Sequence, residues 1–168
     1  MGKQATPFID ASTLESTRFY TAEYKARAVN AFLRFVESDF KRSKFTQVVW
    51  RFLHSEALCM NAVYDASGFY VCHFSKREAQ ARLLKDFLDE ADDCNPSRLR
   101  ADLWQDVLVQ FTEETDEGKA RVAWMRAHID RARQAGRDET ERAERAQLDH
   151  LLGKYRVPEG FSSKDTSA

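Results

Sequence analysis

Most of the devices that announce an enzyme are missing from this chain. Its six glycines, Gly2, Gly68, Gly118, Gly136, Gly153 and Gly160, are too far apart for a dinucleotide-binding G-x-G-x-x-G or a phosphate-cradling P-loop. The nucleophile elbow G-x-S-x-G and the metalloprotease pattern H-E-x-x-H are also absent. None of His54, His73, His128 and His150 has a carboxylate three residues before it, which a bundle carboxylate site requires. The three cysteines, Cys59, Cys72 and Cys94, lack the paired spacing of a zinc site. Their odd, sparse set reads as reduced thiols in an intracellular protein. No run of about 18 apolar residues exists to cross a bilayer. Net charge is close to absent too, at -1, which argues against a generally basic nucleic-acid binder.

What is present is bulk and charge, unevenly placed. The chain has 168 residues, 43% hydrophobic, 32% charged and 12% aromatic, enough for one folded domain and too aromatic for a disordered one. Residues 1–74 hold nine of the 12 Phe, four of the five Tyr and Trp50. Residues 116–150 hold eight acidic and eight basic side chains with little apolar surface. The first half therefore supplies core and the second supplies charged helix surface.

The start shows no apolar h-region, so no secretory signal is expected. Met1-Gly2-Lys3-Gln4-Ala5-Thr6 fits the short N-myristoylation pattern. Residues 1–20 lack periodicity and carry Pro7 and a Ser/Thr cluster, which predicts an extended arm. Thr21 and Glu23 then open a helix of about 20 residues with Tyr24, Ala28, Phe32, Phe35, Val36 and Phe40 on one face. A second helix is expected from Thr46 to Ala66, stopped by Gly68. The strand formers of Phe69-Tyr70-Val71-Cys72-His73-Phe74 predict an extended connector. Ser75-Lys76-Arg77-Glu78 is a capping box for a third helix, and Asn95-Pro96 opens a fourth. A fifth is expected to end at Gly136, and a sixth to run from Asp138 to Leu152.

The expected fold is an all-α bundle of five or six helices, with an extended N-terminal arm and a projecting C-terminal helical hairpin. The divisions are 1–20 (arm), 21–115 (helical body), 116–155 (charged hairpin) and 156–168 (loose tail), within one domain overall. No catalytic, cofactor-binding or metal-binding residues are assigned. Cys72-His73 and Asp149-His150 are the nearest approaches to chemistry, but Cys72 reads as a packing thiol and His150 as an imidazole near a helix C-terminus.

The function expected is that of a non-enzymatic interaction protein, an adaptor or accessory subunit in a larger intracellular assembly. Its protein partners would meet Phe8, Ile9, Phe19 and Tyr20 on the arm, and Trp124, Arg126 and Arg133 on the hairpin. The alternative is a nucleic-acid-associated protein using Lys41, Arg42, Lys44 and Arg51, where basic residues interleave with Phe40 and Phe45.

Overall fold

The computed structural model describes residues 7–56, 65–93 and 101–156. Six helices and no strand occur among them. They are α1 (Ala22–Glu37), α2 (Gln47–Arg51), α3 (Ala66–Phe74), α4 (Arg77–Asp93), α5 (Ala101–Leu108) and α6 (Asp116–Lys154). The all-α bundle is as expected. The possible myristoylation site, Cys59, Cys94, the Asn95-Pro96 cap and the tail from 157 lie outside the described residues.

Helix α1 starts where its cap chemistry puts it. Thr21 Oγ1 accepts from the Tyr24 amide at 3.1 Å. Its apolar face is wider than one stripe, because Val29 and Leu33 are buried alongside Ala28, Phe32, Phe35 and Val36. The helix ends at Glu37, earlier than expected, since Asp39 and Phe40 turn into the left-handed region with φ of 58° and 59°. That reversal returns the Phe40 ring to the core.

The second helix starts at the expected place, and residues 57–64 of its expected span lie outside the described residues. α2 widens into a π-helical turn over Phe52–Glu56, and α3 is a new helix. Asp65 caps it, accepting from the Gly68 amide at 2.7 Å. Gly68 is therefore part of a first helical turn and not a stop. The run 69–74 is helical and not extended. Phe69 and Phe74 are buried and Tyr70 is half-buried, and packing of this kind overrides strand propensity.

α4 packs along the first half of α6, with Ala81, Leu83, Leu84, Phe87 and Ala91 buried. Phe87 meets Phe32 of α1 at 5.1 Å and Phe111 at 5.0 Å. Trp104 of α5 is fully buried against Tyr20 and Phe52, each at 5.2 Å. α6 begins at Thr115, whose hydroxyl accepts from the Gly118 amide at 3.0 Å. Only glycine fits there, because a Cβ on Gly118 would come within 2.1 Å of the Thr112 carbonyl oxygen.

The expected hairpin is one continuous helix, and Gly136 does not end it. A mid-helix glycine costs about 1 kcal/mol relative to alanine. Here it lets α4 approach, since a Cβ on Gly136 would lie 3.1 Å from Arg77 Cβ. Asp138, which resembles a cap in sequence, accepts instead from Gln134 Nε2 one turn back at 2.7 Å.

One ion pair has a buried cation and a partly exposed carboxylate. Lys25, 1% exposed, donates to Asp106 Oδ2 at 2.6 Å and to the Leu103 carbonyl at 3.3 Å. The same carboxylate accepts from the Glu15 amide at 2.8 Å. It thus ties α1, α5 and the arm together. Breaking such a pair from one side leaves a buried charge uncompensated, at a cost of about 3–5 kcal/mol. Asp106→Ala should therefore lose about that much in urea unfolding, and Lys25→Met clearly less, because Asp106 keeps the Glu15 amide and solvent access.

Candidate interaction surface

The arm does not offer a free contact surface. Pro7, Ile9 and Leu14 are buried. The Ile9 amide donates to Asn30 Oδ1 at 2.8 Å, and Asn30 Nδ2 donates back to the Ile9 carbonyl at 2.9 Å. Arg121 Nε reaches the Pro7 carbonyl at 3.1 Å. Phe8 is half-buried beneath the Arg34 guanidinium, 4.9 Å from its ring. Tyr20 stacks on Tyr24 at 5.5 Å. Of the four arm residues expected to meet a partner, Phe8, Ile9 and Tyr20 pack on this chain's own body, and Phe19 is exposed. An arm with this much apolar surface finds its own core first.

The basic loop keeps its charge but not its stacking rings. Lys41, Arg42, Lys44 and Arg51 are exposed. Phe40 and Phe45, however, are buried against Phe35 at 5.5 and 5.3 Å. The Arg42 guanidinium lies 5.1 Å over the Tyr70 ring and donates to Ser67 Oγ at 3.3 Å. A single-stranded nucleic acid would find cations there without an aromatic platform from either phenylalanine.

His54 and His73 both approach Phe69, at 5.9 and 4.4 Å between ring centroids. Cys72 stands exposed. Among the described residues no group of three or more His, Cys, Asp or Glu could hold a metal ion. No helix among them is long and apolar enough to cross a membrane.

The distinctive surface is α6. Its first half packs on the body through Val122, Met125, His128, Ile129 and Ala132. Trp124 is half-buried, its ring 4.3 Å from that of His128. Arg126 is exposed and paired with Glu113 at 2.7 Å. Arg133 is exposed in a groove of about 730 Å³ between α4 and α6, shared with Arg82, Lys85, Arg137, Glu141 and Glu144. Arg77 marks where α6 leaves the body. It holds Asp39 at 2.7 Å and Glu139 at 3.4 Å, and the Asp39 hydrogen bond chiefly raises its pKa above the ordinary arginine value.

Beyond that point every residue from 137 to 156 is exposed, a projection of about 27 Å at 1.5 Å per helical residue. Internal pairs such as Arg145–Glu141 at 2.7 Å support it. Its far end carries four large exposed apolar side chains: Leu148 (55%), Leu151 (42%), Leu152 (61%) and Tyr155 (71%). Their spacing of i, i+3, i+4, i+7 gathers them on one face of the helix. These residues were not among those expected to bind. The signal was that same spacing in a helix otherwise built of charge.

Compared with models of known families, with curated proteins and with solved structures, the chain matches none.

Two measurements check the packing around this surface. Asn30→Ala leaves the Ile9 amide and carbonyl unpaired and should cost about 1–3 kcal/mol in chemical denaturation, whereas Phe19→Ala should change stability by less than about 0.5 kcal/mol. Burial holds His73 and His128 below the ordinary imidazole value of 6.5. Arg82 and Arg131 add to this, and Asp86 and Asp39 oppose it. The unfolded chain therefore takes up protons first. Stability is full above pH 6.5 and is lost as pH falls below it. The melting temperature should drop from about pH 7.5 to about pH 5.5, and His128→Phe should flatten that slope.

Proposed function

We propose that this chain is a non-enzymatic helical interaction protein, an adaptor or accessory subunit of a larger intracellular assembly, and that it makes contact through the projecting end of α6. The observation that carries the reading is the stripe of Leu148, Leu151, Leu152 and Tyr155, exposed at the end of a helix whose residues from 137 to 156 are all exposed. Leaving a leucine in water forgoes about 1.5–3 kcal/mol of burial. Clustered exposed apolar groups rimmed by charge mark contact sites more often than scattered ones do. The body supplies rigidity, and Arg126 and Arg133 add cations along the same helix.

The test is affinity purification of the tagged full chain from its native source, beside a variant with Leu148→Glu, Leu151→Glu and Leu152→Glu. The wild type should hold other proteins in defined stoichiometry, and the variant should release them with an unchanged melting temperature. Retention of the same proteins by both chains would overturn the reading.

A further inference from the structure

The projecting end of α6 is complementary to its own reverse. Glu144 stands at the head of the apolar stripe, next to Arg145, which already holds Glu141, and Lys154 and Arg156 stand at its foot. All of these side chains are exposed. A parallel partner of the same sequence would set Glu144 against Glu144 and Lys154 against Lys154. An antiparallel partner sets Glu144 of each helix against Lys154 and Arg156 of the other. When Leu148 of one helix meets Leu152 of the other, Tyr155 falls opposite Arg145. Lys154 then falls within two residues, about 3 Å along the axis, of the position opposite Glu144. At about 100° per residue Glu144, Arg145 and the four apolar side chains share a sector of about 120°, so one face carries both the leucines and their charged neighbours. Lys154, which rests 5.6 Å over its own Tyr155 ring, flanks that face.

We propose that a second copy of this chain covers the stripe, forming an antiparallel two-helix contact between the α6 ends. This rests on the reading of the α6 end as a contact surface and names what occupies it. Two-fold pairing uses each stripe once and closes, so it yields a dimer and no filament. The overlap from Glu144 to Arg156 is about 18 Å of helix, smaller than the ~800 Å² per partner of a standard interface. The dimer is therefore weak and dissociates on dilution. It holds two bodies at opposite ends of a shared helical spacer and leaves their other surfaces open to further partners.

Sedimentation velocity of the purified full chain over a dilution series tests this. A reversible monomer–dimer equilibrium is expected. Combining Leu148→Glu with Leu152→Glu should lower the association constant by more than about 100-fold, with the circular dichroism of the dilute chain unchanged. A chain with Glu144→Lys, and another with Lys154→Glu and Arg156→Glu, should each self-associate about tenfold more weakly, and an equimolar mixture of the two should restore dimers. A chain that stays monomeric at every concentration overturns the proposal. So does a dimer that survives the leucine substitutions, or a mixture that stays as weak as its components. A monomeric chain that still loses its other partners on Leu148→Glu, Leu151→Glu and Leu152→Glu sinks the self-pairing alone. A dimer that holds no other protein sinks the adaptor reading alone.

Discussion

Four aromatic rings close on Phe35 near the end of α1, and the placement of the other helices follows from that contact. Phe74 meets it at 4.8 Å, Phe45 at 5.3 Å, Phe40 at 5.5 Å and Tyr70 at 6.3 Å. Phe40 reaches its place only by a left-handed backbone, which costs a non-glycine residue about 1–2 kcal/mol. Burying a phenylalanine returns about 1.5–3 kcal/mol, and the ring pairs add to it. Tyr70 then locks the reversal by donating to the Phe40 carbonyl at 2.8 Å. The same turn sets Asp39 where Arg77 can hold it, and Arg77 also reaches Glu139 on α6. One crowded aromatic centre thus orders the end of α1, the start of α4 and the exit of α6 in a single chain of contacts.

Much of the fold was legible where local chemistry and tertiary packing agree. Thr21 caps α1 as its sequence says, and Leu83, Phe87 and Ala91 face inward from α4. The misreadings fall where they compete. Gly68 and Gly136 look like stops, because a glycine is a favourable helix end. One is instead the third residue of an Asp65-capped helix, and the other is a point of close approach to Arg77. Phe69 to Phe74 look like a strand because aromatic and β-branched residues favour one. No second strand exists among the described residues to pair with it, and a capped helix satisfies its backbone locally.

The proposed contact surface was harder to read, for a related reason. Sequence shows that apolar residues are surplus to a stripe, but not which of them the chain will cover itself. Ile9 looks available until Asn30, 21 residues away, takes both of its backbone groups. Phe45 looks like a stacking platform until it lies against Phe35. Leu148, Leu151, Leu152 and Tyr155 were visible as an apolar ending to a charged helix. Their meaning depends on α6 running straight through Gly136, which carries them past anything in the described body that would bury them.

That straight passage also makes the helix a lever. Gly136 is the fulcrum, pressed against Arg77, and Tyr155 stands about 28 Å farther along the axis. Tilting the helix by about 10° at the fulcrum would sweep the tip through about 5 Å, the width of one helical turn. The tip's reach is then governed less by its own residues than by the grip of Arg77 on Asp39 and Glu139. A small rearrangement at the end of α1 would be magnified at the far end into the difference between one binding register and the next.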